Sequence, residues 1–161
     1  MLILNCGGTF NKRYNSSNGE LEVPFDNKAI NEILKSTNDE YTVAGAVYKD
    51  SLEMTVEDRS LLADIIRESS QSVFVIIHGT DTIDLTAEFF AEIFEDKIII
   101  LTASMVPYEI DKVEASLNLG MALGFSKATS ENGVYICMNG LVQIYTLIKK
   151  NRTLGKFELV K

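Results

Sequence analysis

Val73-Phe74-Val75-Ile76-Ile77-His78-Gly79-Thr80-Asp81-Thr82 is the stretch that decides the fold of this 161-residue chain. Its first five residues are apolar at consecutive positions, a pattern typical of a parallel strand that is covered on both faces. Gly79 ends the run, and apolar residues at helical spacing follow at Leu85, Phe89, Ile93 and Phe94. A buried strand, a polar loop and an amphipathic helix in this order predict one unit of an α/β fold.

The same alternation continues on both sides of this stretch. Apolar runs predict further strands at 2–6, 41–47, 98–101 and 134–138, and helical spacing predicts helices at 27–35, 55–66 and 117–125. Thr55 and Asp58 have the spacing of a helix capping box. Residues 10–26 are predicted to form a long loop, and the segment after Asn139 is less regular. We predict one domain, 1–161, of the α/β class: a doubly wound (Rossmann-like), mostly parallel sheet of four or five strands with helices on both faces.

Charge and composition exclude several classes of protein. Lys and Arg number 15 against 23 Asp and Glu, so the net charge is −8 and no basic stripe is available for nucleic acid. No apolar run approaches the roughly 18 residues that span a membrane, and no secretory leader precedes the first strand. Cys6 and Cys137 are too few and too far apart for a disulfide framework. We therefore expect a cytoplasmic protein without nucleic-acid or membrane partners.

Several familiar motifs are missing from the sequence. It has no G-x-G-x-x-G after the first strand, no phosphate-binding P-loop and no G-x-S-x-G nucleophile elbow. His78 is the only histidine, so a histidine-based zinc site is excluded, and a Ser-His-Asp triad would depend on it. Its position at the end of an apolar strand favours a structural histidine instead. We expect neither a metal nor an organic cofactor.

Ligands in open α/β sheets bind beyond the carboxyl ends of the strands, so the strand-end loops are the informative ones. They read Cys-Gly-Gly-Thr-Phe (6–10), Asp-Ser-Leu-Glu-Met-Thr (50–55), His-Gly-Thr-Asp-Thr (78–82) and Thr-Ala-Ser-Met-Val-Pro (102–107). Such loops would line a crevice with hydroxyl nucleophiles, backbone N–H donors and an ionised Asp. This pattern favours acyl transfer over redox chemistry.

Each of these residues also has a structural interpretation. Thr9 after two glycines is typical of a turn cap, and Thr80-Asp81-Thr82 is typical of a helix N-cap. Lys149-Lys150 is typical of a solvated pair, and Cys6 of a small buried side chain. From the residues alone, both interpretations stay open.

The ordered set of Gly7-Gly8-Thr9, His78-Gly79-Thr80-Asp81-Thr82 and Thr102-Ala103-Ser104-Met105-Val106-Pro107 resembles the bacterial L-asparaginase family. Asp50-Ser51 with Met54-Thr55 resembles the family's second motif. The resemblance covers essentially the whole chain, but only the family's amino-terminal domain. It implies an asparaginase-like amidohydrolase that hydrolyses the side-chain amide of L-asparagine, or a related small amide, through a threonyl acyl-enzyme.

The resemblance also implies roles for individual residues. Thr9 would be the nucleophile, and Tyr14, on a mobile lid, would hydrogen-bond to it. Thr80, Asp81 and Lys150 would form a second constellation in which the lysine activates the threonine hydroxyl. Lys150 is favoured over Lys149 because Thr153 follows it by three residues, as in the family pattern. The substrate would be bound by Gly8, Gly79 and Ser51, the last at its α-carboxylate.

A non-catalytic small-ligand-binding or assembly module is the alternative. In the family, residues from a neighbouring subunit's carboxy-terminal domain bind the substrate's α-ammonium group, and this chain lacks that domain. Leu52 also stands where many relatives have a polar residue that contacts substrate. The family pattern implies a homo-oligomer, a dimer or larger, in which Glu109 or Asp111 is a candidate replacement carboxylate.

Overall fold

A computed structural model describes residues 1–160. The chain order of its elements is β1 (Leu2–Gly7), β2 (Arg13–Asn15), β3 (Glu20–Glu22), α1 (Lys28–Leu34), β4 (Thr42–Lys49), α2 (Val56–Glu68), β5 (Val73–Ile77), α3 (Ile83–Ala91), β6 (Ile98–Thr102), α4 (Lys112–Ala128), β7 (Gly133–Met138), β8 (Leu141–Ile144), β9 (Ile148–Asn151) and β10 (Lys156–Leu159). Short 3₁₀ turns lie at Thr9–Asn11, Ser51–Glu53 and Tyr145–Leu147. No helix in this described range is long and apolar enough to cross a membrane.

One central sheet carries the fold, with strand order β4-β1-β5-β6-β7-β8. Neighbouring strands are parallel except for β7 and β8, which pair antiparallel. The predicted α/β, mostly parallel architecture is therefore confirmed. The sheet has six strands where four or five were predicted, and β8 adds an antiparallel edge strand after β7.

Two hydrophobic cores lie on opposite faces of this sheet. Successive side chains of a strand point to opposite faces, so Phe74 and Val75 of β5 belong to different cores. Helices α2 and α3 cover the first core, with Leu62 and Phe90 fully buried. Helices α1 and α4 cover the second core, where Leu119 is buried. Burial on both faces explains why β5 is apolar at every position and β6 at every position but its last, Thr102.

The start of α2 follows from a capping box. The Thr55 hydroxyl accepts a hydrogen bond from Asp58 N at 3.3 Å, and Asp58 Oδ2 accepts one from Thr55 N at 2.8 Å. These bonds satisfy N–H groups that a helix leaves free at its first turn. The prediction made for this pair is confirmed.

Two segments hold more regular structure than the sequence indicates. The predicted loop at 10–26 contains the antiparallel hairpin β2–β3, and the segment after Asn139 contains β8 and the hairpin β9–β10. These strands have only three or four residues each, and three of the hairpin strands are rich in charged residues. So short a strand shows no clear hydrophobic period, which is why the pattern missed it.

Candidate active site

Three strand-end loops meet in close backbone contact at the carboxyl edge of the sheet. Gly8 has φ 69° and ψ −176°, a region that essentially only glycine occupies. A Cβ atom on Gly8 would lie 2.5 Å from both Cα and N of Gly79, and one on Gly79 would lie 2.5 Å from Ser51 Oγ. The two glycines therefore allow the loops after β1, β4 and β5 to meet at one point.

Lys150 reaches this point from the hairpin β9–β10. Its Nζ donates hydrogen bonds to Thr80 Oγ1 at 2.8 Å and to Asp81 Oδ1 at 2.9 Å, across about 70 residues of sequence. The Lys150 side chain is only 14% exposed, and Thr80 is 4% exposed. The hydroxyl, the carboxylate and the amine are thus held together in a largely enclosed position.

Asp81 is the negatively charged member of this group. The hydrogen bond from Lys150 lowers the pKa of Asp81 below its usual value, and this effect exceeds the opposing effect of partial burial. Arg152 lowers the pKa of the same carboxyl further, because it also donates to Oδ1. Its Nη2 donates separately to the main-chain carbonyl of Asp81 at 3.1 Å. Sequence reasoning assigned Arg152 no role. The signal that could have found it is its spacing of two from Lys150, the spacing of residues on one face of a strand, although β9 itself ends at Asn151 and Arg152 begins the turn after it.

Lys149 lies on the other side of the hairpin. Its side chain is 58% exposed, and its Nζ is 3.9 Å from Glu158 Oε1. Because successive residues of a strand alternate between faces, Lys150 turns toward Thr80 and Lys149 turns toward solvent. Only one of the two lysines therefore belongs to the site.

Ser51 is held between the loops by main-chain and side-chain bonds. Its Oγ accepts a hydrogen bond from Asp81 N at 3.2 Å, its carbonyl accepts one from Thr82 Oγ1 at 2.8 Å, and the residue is 2% exposed. Thr82 occupies the N-cap position of α3, but its hydroxyl makes no capping bond. The helix-cap interpretation of Thr80-Asp81-Thr82 is therefore wrong at the level of side chains, because these hydroxyl and carboxyl groups bind neighbouring loops.

Thr9 and Tyr14 are not brought together in the structure. Thr9 is half-buried at the start of its 3₁₀ turn, where Gly8 rather than Thr9 takes the N-cap position. Tyr14 lies on β2, is 62% exposed, and donates its main-chain N–H to Glu109 Oε2 at 3.0 Å. Within residues 1–160 no hydrogen bond joins the two side chains. The carboxylate of Glu109, a candidate for replacing a partner's acid, is engaged within the chain.

His78 lies beneath the site and is fully buried. Its Nδ1 is 2.8 Å from the Gly79 carbonyl, and its Nε2 is 2.9 Å from Thr86 Oγ1. Burial lowers the pKa of His78 to about 4, so the ring is neutral near pH 7. The prediction of a structural histidine is confirmed. Cys6 is also buried, as predicted, and burial raises the pKa of its thiol.

The groups joined at this edge of the sheet are one threonine hydroxyl, that of Thr80, and a lysine–aspartate pair, and Thr9 begins the turn that follows Gly8. Over the part of the chain that the structure describes, no cluster of three His, Cys, Asp or Glu side chains is placed to hold a metal ion. Fold and site together define an α/β domain whose sheet edge carries a threonine–aspartate–lysine constellation.

Comparison with known proteins identifies the family. The model described as "Asparaginase, N-terminal" matches residues 1–156, so this chain belongs to the asparaginase family and corresponds to its N-terminal domain. The chain is 31% identical to a glutaminase-asparaginase of Acinetobacter glutaminasificans over 127 residues, which are 73% of this chain and 38% of that protein. It is also 31% identical to L-asparaginase 1 of Escherichia coli K12 over 107 residues, 64% of this chain and 28% of that protein. The resemblance seen in the motifs is confirmed.

Solved structures show the same fold. The thermostable L-asparaginase from Thermococcus kodakarensis superposes with a TM-score of 0.86 at 23% identity, over 99% of this chain and 50% of that one. L-asparaginase I from Vibrio cholerae superposes with a TM-score of 0.78 at 25% identity, over 98% of this chain and 50% of that one. The chain thus spans about half the length of these structures and less of the curated relatives.

Proposed function

We propose that this chain hydrolyses the side-chain amide of L-asparagine or a related small amide through an acyl-enzyme on Thr9. The observation that carries the proposal is the position of Lys150 Nζ, within hydrogen-bond distance of both Thr80 Oγ1 and Asp81 Oδ1. Membership of the asparaginase family supports it. The reaction as proposed uses the chain's own hydroxyl, amine and N–H groups.

In the first half of the reaction, Thr9 Oγ1 attacks the amide carbon, its proton passes to Thr80 Oγ1, and the proton of the Thr80 hydroxyl passes to the amide nitrogen. The C–N bond then breaks, ammonia leaves with the added proton, and an ester joins the acyl group to Thr9. The developing oxyanion accepts a hydrogen bond from the N–H of Thr80, which has no other partner within residues 1–160. A donor of this kind typically contributes about 3–4 kcal/mol to transition-state stabilisation.

In the second half, water attacks the ester and gives its proton to Thr80 Oγ1, the proton of the Thr80 hydroxyl passes to Thr9 Oγ1, and the bond between Thr9 Oγ1 and the acyl carbon breaks. Thr80 transfers protons in both halves. The Lys150 ammonium donates to Thr80 Oγ1 and stabilises the negative charge that develops there during the transfer, and the ionised Asp81 holds the lysine in place by a charge-assisted hydrogen bond. Ser51, Gly8 and Gly79 form the wall against which the substrate lies, and Tyr14 reaches Thr9 when the hairpin β2–β3 closes.

The proposal extends to partners and location. The partner is a small amide or amino acid rather than nucleic acid or a membrane, and the chain acts as a cytoplasmic homo-oligomer, a dimer or larger. Isologous symmetric pairing is the usual way in which such chains assemble. Light scattering of the purified chain tests the oligomer directly: a monomer at assay concentration would contradict it.

A non-catalytic ligand-binding or assembly module is the second candidate. One observation favours it: Tyr14 is exposed and makes no hydrogen bond to Thr9 within residues 1–160. A module of this kind would bind a small amide without releasing ammonia, and its affinity would not change in Lys150→Met.

Ammonia release separates the two candidates. We expect the purified chain to release ammonia from asparagine, glutamine or a simple amide, and Thr9→Ala to reduce the rate to background. Thr9→Ser, which keeps a hydroxyl, serves as the matched variant and should retain measurable turnover. Release no greater than that of Thr9→Ala would contradict the catalytic proposal and leave the binding module.

A further inference from the structure

Arg59 is a buried cation that the reaction above does not use. It lies on α2, is 7% exposed, and forms no ion pair with any carboxylate in the described range 1–160. Its guanidinium instead donates to two carbonyls, Met54 at 3.2 Å and Thr55 at 3.1 Å, and to two threonine hydroxyls. Burying a charge without a counter-ion is costly, so the guanidinium depends on these four hydrogen bonds, and they in turn connect the segments that carry its acceptors.

The first hydroxyl begins a hydrogen-bond chain whose direction can be derived. Arg59 Nε donates to Thr86 Oγ1 at 2.9 Å, and arginine has no acceptor, so Thr86 accepts this bond. At the far end the Gly79 carbonyl can only accept, so His78 Nδ1 must carry the proton in their 2.8 Å bond. The neutral ring then has an unprotonated Nε2, which accepts the proton of the Thr86 hydroxyl at 2.9 Å. The hydrogen-bond chain runs from Arg59 through Thr86 and His78 to Gly79.

The end of this chain sets the orientation of one peptide group. The carbonyl of Gly79 and the N–H of Thr80 belong to the same trans peptide, so they point in opposite directions. Because the carbonyl is held against His78 in the interior, the N–H is turned away from it. This is the N–H that has no partner in residues 1–160 and that serves the oxyanion in the proposed reaction.

The second hydroxyl connects Arg59 to the other wall of the site. Arg59 Nη2 donates to Thr82 Oγ1 at 3.3 Å, and Thr82 Oγ1 donates to the carbonyl of Ser51 at 2.8 Å. One guanidinium therefore holds the loop after β4 and the loop after β5 at the same time.

We propose that Arg59 is a positioning residue: through Thr86 and His78 it orients the Gly79–Thr80 peptide, and through Thr82 it holds Ser51. The catalytic part of this inference rests on the proposed function, whereas the hydrogen-bond chain does not. Arg59 never touches substrate and acts through the groups it orients.

Thr86 offers a matched pair of variants for the test. Thr86→Val removes the hydroxyl at almost unchanged volume and leaves Arg59 in place, whereas Thr86→Ser keeps the hydroxyl. His78 is the only histidine in the chain, so ¹⁵N NMR of the imidazole reports on it without assignment. We expect the Nδ1–H tautomer in wild type and in Thr86→Ser, and a changed Nε2 signal in Thr86→Val. Wild-type protein showing the Nε2–H tautomer would overturn the proposal without any variant being needed.

Kinetics complete the test. We expect kcat for ammonia release to fall about 10²-fold in Thr86→Val, with KM little changed and with Thr86→Ser close to wild type. Equal kcat in Thr86→Val and Thr86→Ser would overturn the positioning role. If wild type releases no more ammonia than Thr9→Ala, the proposed function fails. The NMR comparison still decides whether the hydrogen-bond chain from Arg59 to Gly79 exists.

Discussion

The two halves of the candidate site are built differently. One half, the closed corner (Thr80, Asp81 and Lys150), is joined by hydrogen bonds of 2.8 and 2.9 Å and is largely shielded from water. The other half, the open corner (Thr9 and Tyr14), has no bond between its members within residues 1–160, and Tyr14 is 62% exposed. The closed corner is held by the sheet and a hairpin, whereas the open corner lies on a turn and a short hairpin beyond the sheet.

This difference indicates which half is ready before substrate binds. Groups that are preorganised need no reorganisation in the transition state, whereas groups on mobile loops reach their positions only in the bound complex. We therefore expect substitutions in the closed corner to reduce catalysis directly. Substitutions at Tyr14 should act only on the substrate-bound state.

The largest expected effect comes from breaking the closed corner at its lysine. Lys150→Met leaves Thr80, the group that transfers protons, without the ammonium that stabilises its charge, and proton transfer by a positioned side chain typically contributes 10²–10⁴-fold to the rate. We expect kcat for ammonia release to fall by about 10³-fold. Lys149→Met is the matched control, because its side chain is 58% exposed and lies on the opposite face of β9. A loss below tenfold in Lys150→Met would contradict the role of the closed corner.

The next effect tests the buried support behind the closed corner. Burial lowers the pKa of His78 from 6.5 to about 4, so between these values the unfolded chain binds a proton that the folded chain does not. Stability from this group is therefore complete above pH 6.5 and is lost as the pH falls toward 4, by about 3 kcal/mol.

Urea unfolding at pH 7 and at pH 4.5 measures this loss. The variant His78→Asn has no titratable side chain at position 78, so it should lose less stability than wild type between pH 7 and pH 4.5. The same pH dependence in both proteins would show that His78 is not held neutral.

The smallest expected effect comes from the open corner. The hydroxyl of Tyr14 has no hydrogen-bond partner within residues 1–160, so Tyr14→Phe should change the free energy of unfolding by no more than about 0.5 kcal/mol. We expect kcat to fall about tenfold, because in the proposed reaction the hydroxyl reaches Thr9 only when the hairpin closes on substrate. Unchanged kcat would remove Tyr14 from the site, and a large loss of stability would show that the corner is already closed in the free protein.

The sequence predicts the fold better than it predicts the closed corner. Consecutive apolar residues in β5 and β6 predict buried parallel strands, and the structure confirms them. Lys150 lies on β9, a four-residue strand without a hydrophobic period, so only the family resemblance pointed to it. Its geometry depends on the pairing of β9 with β10, which local patterns do not reveal.

Arg59, like Arg152, was not singled out from the sequence. Arg59 is three residues before Leu62 and seven before Ile66, so helical spacing places it on the buried face of α2, and that position was the available signal. Its partners, Thr82 and Thr86, are on another helix or its cap, a tertiary contact that a single sequence does not show. The distances between the loops likewise follow from the backbone contact of Gly8 with Gly79.

The proposed acyl-enzyme on Thr9 is tested most directly by mass spectrometry of the acid-quenched reaction. The chain is mixed with asparagine, quenched during turnover and digested, and the peptide that contains Thr9 is examined for a β-aspartyl ester, with Thr9→Ala as the control. We expect the ester on Thr9 and its absence in Thr9→Ala. An ester on Thr80, or ammonia release that persists in Thr9→Ala, would contradict the nucleophilic role of Thr9.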